Sequence, residues 1–146
     1  MGNIENKKII ITGASKGLGA VCAQEFSRLG ARLVLIARSE EKLEEVRSGC
    51  QYPDSHLSVA VDLTNNLELG KTIERAKEFL GNIDVVLHVA GGGLGLRDPL
   101  LNSDDFLKLF KLNLAAAAEI NRLVVPDMKK RRHGNLVHVG SIASSE

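Results

Sequence analysis

Apolar residues recur along this chain with two alternating spacings. Short runs rich in β-branched side chains occupy Lys7–Ile11, Arg32–Ala37, His56–Val61, Ile83–Val89 and Asn135–Val139. Such runs, four to eight residues long and bounded by Gly, Pro, Asn or Asp, predict strands. Between them the apolar residues return every three or four positions. That spacing predicts helices over Ala20–Leu29, Glu40–Arg47, Leu67–Leu80 and Asp104–Lys130. Ser39 and Ser103 stand where N-caps are needed, and Asp62 to Asn65 makes a turn into the third helix. Gly30 and Gly81 close the first and third helices, as residues free to enter the left-handed region do.

Strand and helix alternate throughout, with no other internal repeat, so neighbouring strands must be joined by crossovers and run parallel. Right-handed crossovers then predict a Rossmann-like, doubly wound α/β fold in three layers, with strand order 3-2-1-4-5 and residues 1–146 as a single domain. The helix over 104–130 is apolar or small nearly all the way round, from Phe106 through Ala115–Ala118 to Val125. A helix of that kind is covered on two sides, so its outer face is expected to meet either a second subunit in a homo-oligomer or a further part of the same chain. Pro126 lies inside it and is expected to bend it.

Composition narrows the classes. A chain of 146 residues, 44% hydrophobic, can bury one core. A net charge of +1 creates no global field toward nucleic acid or an anionic membrane. The run Lys129–His133 falls at the end of a helix, where cations are favoured, and has no aromatic residues interleaved; nucleic acid is not expected as a partner. Cys22 and Cys50 are too few for a disulfide framework, the first residues lack an apolar leader, and no stretch reaches membrane-spanning length. A cytoplasmic protein is the expectation.

Chemistry concentrates at the first turn. The strand ending at Ile11 runs directly into Thr12-Gly13-Ala14-Ser15-Lys16-Gly17-Leu18-Gly19 and then into a helix. A glycine turn between strand and helix lets the backbone approach a phosphate and aims the first helical N–H groups at it. Gly13, Ser15, Lys16, Gly17, Leu18 and Gly19 are therefore candidate dinucleotide-binding residues. Arg38 follows the second strand, where an acidic residue would take ribose hydroxyls and an arginine suits a 2′-phosphate. With Lys16 it favours NADP(H) over NAD(H). Asp62 and Leu63 follow the third strand; Asp62 is either a contact to an adenine amino group, with the Leu63 amide on a ring nitrogen, or a helix N-cap. Ala90 and Gly91, after the fourth strand, let the backbone pass close to a ribose. His88 and His138 read as strand histidines, His56 and His133 as exposed loop residues, and no spacing among the four suggests a metal site. Asn113 is a polar residue in an apolar helix, and Ser141 follows the fifth strand at the edge where such sheets bind ligands.

These residues together resemble the short-chain dehydrogenase/reductase family over essentially all of 1–146. Thr12-Gly13-x-x-x-Gly17-x-Gly19 is similar to its cofactor loop, and Asp62-Leu63 to its adenine-contacting pair. Ala90-Gly91 matches the end of the family's Asn-Asn-Ala-Gly, with His88-Val89 in place of the two asparagines. Lys16 and Arg38 match its NADP-preferring pattern. The resemblance implies hydride transfer between NADP(H) and a small-molecule carbonyl or alcohol, with Asn113 holding a relay water and Ser141 orienting the carbonyl. The family's general acid/base is a tyrosine in Tyr-x-x-x-Lys beyond that serine. Here the single tyrosine is Tyr52, followed four residues on by His56. The expectation is a piece of such an enzyme, lacking the usual sixth and seventh strands and without turnover on its own. A non-catalytic NADP(H)-binding regulatory or interaction module is the alternative.

Overall fold

The computed structural model describes residues 4–96, 98 and 100–140. Five strands, β1 (Lys8–Thr12), β2 (Arg32–Ala37), β3 (Leu57–Ala60), β4 (Val85–His88) and β5 (Asn135–His138), form one sheet in the order β3-β2-β1-β4-β5. Each pairing is parallel, with Ile10 opposite Val34 on one side and Val86 on the other. The helices are α1 (Gly17–Arg28), α2 (Glu40–Ser48), α3 (Asn66–Leu80), α4 (Ser103–Phe110) and α5 (Ala116–Arg131).

In β1 and β2 the strand signal is a continuous apolar run because both faces of the sheet are covered there. Successive side chains point to opposite faces. Ile10, Val34, Ile36 and Val86 face α3 and α5, packing with Leu69, Ile73, Ile120 and Val124. Ile9, Ile11, Leu33 and Leu35 face α1 and α2, packing with Ala23, Leu43 and Val46. Fully burying one such aliphatic side chain stabilises the fold by about 1.5–3 kcal/mol before entropy.

Helix ends follow local chemistry. The Ser39 hydroxyl accepts from the Lys42 amide at 3.4 Å, as expected, and caps α2. The other two caps differ from the sequence expectation. Asn65, not Asp62, caps α3 through the Glu68 amide at 3.3 Å, and Asn102, not Ser103, caps α4 through the Asp105 amide at 2.9 Å. Asparagine is among the strongest N-cap residues, and the Asp62 carboxylate is taken up by its own turn on Thr64.

Two further expectations are corrected. The helix over 104–130 is not continuous; a π-helical turn, Lys111–Ala115, separates α4 from α5. Periodicity alone cannot register one extra residue in a turn, because the apolar stripe shifts without breaking. His56 is buried, not exposed: its Nδ1 accepts from the Leu33 amide at 3.2 Å and its Nε2 lies 2.9 Å from the Gln51 carbonyl. No helix among the described residues is long and apolar enough to cross a membrane.

Candidate functional site

Parallel strands place all their carboxyl ends on one edge, and the loops leaving β1, β2, β3 and β4 meet there. They enclose a cleft of about 660 Å³. The β1 loop enters it because of its glycines. Gly13 has φ +68°, and a Cβ at that position would sit 2.7 Å from the Ala90 amide nitrogen. The missing side chain thus lets the β1 loop press against the loop after β4. Gly17 also lies in the left-handed region, with φ +54° and open space where its Cβ would be. Such backbone belongs to glycine.

Hydrogen bonds tie the strand ends together beneath the loop. The Ala14 amide donates to the Ile36 carbonyl at 3.3 Å, and the Ala90 amide donates to Thr12 Oγ1 at 3.3 Å. Lys16 precedes α1 in extended conformation without a side-chain cap, and the first turn of α1 carries no acid. Side chains cap α2, α3 and α4, whereas the first N–H groups of α1 keep their donor capacity at the edge of the cleft.

The structure brings Gly13, Ser15, Lys16, Gly17, Leu18, Arg38, Leu63, Ala90 and Gly91 to this one cleft. Gly19 and Asp62 do not line it. A Cβ on Gly19 would lie 2.3 Å from the Gly13 carbonyl oxygen, so Gly19 lets α1 pack under the loop. Asp62 Oδ1 accepts from the Thr64 amide at 2.9 Å and the Thr64 hydroxyl at 2.8 Å. Those donors, the amide first, hold its carboxyl below the ordinary range, and the Arg38 charge adds to the effect. This turn shapes the segment that presents Leu63 to the cleft.

Asn113 sits on the π-helical turn and is exposed, not buried as an apolar helix suggests. Its amide is nonetheless engaged. Oδ1 accepts from the Gly92 amide at 2.8 Å, and Nδ2 donates to the Gly92 carbonyl at 3.0 Å and the Leu109 carbonyl at 2.9 Å. A Cβ on Gly91 would meet Asn113 Oδ1 at 2.8 Å, so that glycine permits the contact. Asn113 therefore fixes the loop after β4 against the helix. Ser141 lies outside the described residues.

Lys42 and Ser39 also line the cleft beside Arg38, and the sequence reading did not single them out for it. Lys42 is one helical turn beyond Arg38, at the start of a helix that begins on the same edge. Its place in the first turn of a helix that starts just after the second strand was the available signal. Tyr52 stands elsewhere. It is exposed on the loop entering β3, at the amino edge of the sheet, opposite the cleft.

A doubly wound parallel sheet with its loop cluster at the carboxyl edge places this chain in the Rossmann-like class. Residues 7–146 match the short chain dehydrogenase family, and the chain belongs to that family of oxidoreductases. It is 27% identical to a ketoacyl reductase, HetN, of Nostoc sp., over 100% of this chain and 51% of that protein. It is 30% identical to 17-beta-hydroxysteroid dehydrogenase 13 of Rattus norvegicus, over 96% of this chain and 47% of that protein. Among solved structures, a 7 alpha-hydroxysteroid dehydrogenase complexed with NADH and 7-oxo glycochenodeoxycholic acid superposes with a TM-score of 0.89 at 27% identity. The alignment covers 99% of this chain and 57% of that one. The chain thus spans about half the length of these relatives.

Proposed function

We propose that this chain is the dinucleotide-binding part of a short-chain oxidoreductase that moves hydride between NADP(H) and a small carbonyl or alcohol substrate. The observation that carries the reading is the convergence of the Gly13–Gly17 turn with three cations, Lys16, Arg38 and Lys42, on one cleft. The donor set fits a dinucleotide bearing a 2′-phosphate. The uncapped N-terminus of α1 suits a pyrophosphate. Arg38 and Lys42 suit the additional phosphate on the ribose, because a planar guanidinium and an ammonium together offer several charge-assisted donors. Leu63 supplies an apolar wall for the adenine, and Ala90 and Gly91 leave room for the ribose. The solved relative that carries NADH supports the cofactor class.

When bound, the nicotinamide supplies the hydride; the protein positions the ring and excludes water. Asn113, pinned to Gly92, keeps the floor of the cleft fixed and holds a relay water. Ser141 orients the substrate oxygen. Residues 1–146 contain no Tyr-x-x-x-Lys, so the general acid/base is supplied from outside them, and these residues alone bind the cofactor without turnover. The apolar stripe Phe106, Leu107, Phe110 and Leu114, exposed along α4 and the π-helical turn, associates with a second copy.

Titration with NADPH and NADH tests the reading. NADPH should bind more tightly by about tenfold or more, which is about 1.4 kcal/mol. Arg38→Asp should reverse the order, since it exchanges a phosphate partner for a carboxylate that accepts from ribose hydroxyls. Equal affinities, unmoved by that substitution, would overturn the preference. No rise in melting temperature with either nucleotide would overturn binding itself, because a ligand of the folded state must stabilise it.

A further inference from the structure

The ends of β4 and β5 carry an arrangement that the cleft does not use directly. His88, the last residue of β4, stands in register with His138, the last of β5. Their imidazoles stack with centroids 4.4 Å apart and planes 17° apart. Asn121, on α5, spans the pair: its Oδ1 lies 2.9 Å from His88 Nε2, and its Nδ2 lies 3.4 Å from His138 Nε2.

A primary amide offers an acceptor at one end and donors at the other. It serves two ring nitrogens only when one presents an N–H and the other a lone pair. With the amide in this orientation, His88 holds its proton on Nε2 and His138 keeps Nε2 free. A proton arriving at His138 Nε2 would face the amide N–H. The bridge survives only if the amide turns over and His88 moves its proton from Nε2 to Nδ1. A second proton, charging both rings, leaves one N–H pointing at another and two cations in stacking contact. His138 is exposed and His88 is buried, so through the amide the hydrogen-bonding state of the outer ring constrains the tautomer of the inner one.

On its β4 side the bridge adjoins the wall of the cleft, at Val89 and Ala90. The Val139 amide donates to the His88 carbonyl at 3.0 Å, directly beyond the stacked pair. Two residues past His88 comes Ala90, bonded to Thr12 Oγ1 and lining the cleft. We infer that His88, Asn121 and His138 form a proton-responsive clamp that positions the loop after β4, so that nucleotide affinity carries a histidine-dependent fall in mild acid. All three are positioning residues.

The surroundings favour this role. β1 brings Thr12 to the register position beside His88, and α5 brings Asn121. The charged neighbours of Asn121 on that helix, Glu119 and Arg122, pair with each other at 2.7 Å. Burial, first of all, pushes the His88 imidazole below its ordinary range, the Asn121 bond acts the other way, and the His138 charge lowers it further. With its folded pKa depressed, His88 contributes stability that is complete above the ordinary imidazole value. That contribution is lost as pH falls through this range, where the unfolded chain binds the extra proton.

The clamp rests on the dinucleotide reading above only for its affinity readout. The test compares wild type with His138→Asn, which keeps a polar side chain on an exposed strand position but cannot titrate; His138→Gln serves as a second variant. NADPH dissociation constants and ligand-free melting temperatures are measured from pH 8 to 5. The wild-type affinity should fall about fivefold more than that of His138→Asn across the imidazole range. The wild-type melting temperature should also fall more steeply there. The 2′-phosphate of NADPH titrates in a similar range, and His56 is another buried histidine, but both are common to the two proteins and cancel. Superimposable affinity profiles would overturn the clamp. If NADPH binds at no pH, the functional reading falls, and the ligand-free profiles decide alone: superimposed, they overturn the clamp, and separated as described, they uphold it.

Discussion

The two edges of the sheet are built from similar sequence and end in opposite states. At the β3 edge, polar side chains close the margin. Glu44 of α2 accepts from the Ser58 hydroxyl at 3.2 Å, Arg47 donates to the Pro53 carbonyl at 2.7 Å, and His56 accepts from the Leu33 amide. At the β5 edge the backbone ladder to β4 is complete, from Val85 opposite Asn135 to His88 opposite His138, yet every side chain of β5 is exposed. Leu136 and Val137 are as strand-forming as Leu33 and Val34, but keep 37% and 44% of their surface in solvent, against 0% for both of the latter. Main-chain pairing therefore sets where a strand lies, while side-chain burial sets how much it stabilises. Apolar strand positions left open are where a sheet recruits another surface.

The largest consequence is energetic. Ile10→Ala, at the centre of the sheet, should cost about 2–5 kcal/mol, the transfer term plus a cavity. Leu136→Ala, two strands outward in the same register through Val86, should stay within about 0.5 kcal/mol. Urea unfolding of the two variants checks this; equal losses would mean that β5 is as buried in solution as β1. A smaller effect is expected on α4, which buries no residue and exposes Phe106, Leu107 and Phe110. Phe110→Glu should lower the sedimenting mass of an assembled protein while changing its stability by no more than about 0.5 kcal/mol. A wild type that is already monomeric across a concentration series would remove the second-copy reading.

The order of strands was legible because β-branched runs alternating with helical spacing admit few topologies, and the glycine turn was legible because Gly13 and Gly17 occupy backbone that other residues avoid. The parts that escaped prediction depend on distances between segments. His56 sits in a polar loop by sequence, and only the approach of β2 buries it. Asn113 stands among apolar residues in the sequence, but its neighbours Phe110 and Leu114 are themselves exposed, and what it meets is the Gly92 backbone. Lys42 was read only as a helical lysine until α2 was placed beside the cleft. Asp62, left between a nucleotide contact and a cap, is not the cap of α3; its carboxylate closes its own turn on Thr64.

The least of the effects tests how the β3 edge is braced. Glu44 accepts from Arg47, its i+3 neighbour, and from Ser58 on β3, and these donors, Arg47 foremost, hold its carboxyl down at about 2. The ordinary glutamate value is higher, so the folded chain binds this proton less readily than the unfolded one. The resulting stability is complete above pH 4.5, the ordinary value, and is lost as pH falls through about 2. Glu44→Gln removes the titrating group but keeps an acceptor for Ser58. Its unfolding midpoint should lie slightly below wild type at neutral pH, and the gap should close on acidification through that window. Solvent around this half-buried pair keeps the gap small. A gap that persists unchanged at pH 2 would mean that Glu44 braces the edge by packing alone, and that the β3 margin owes its closure to His56 and Arg47 instead.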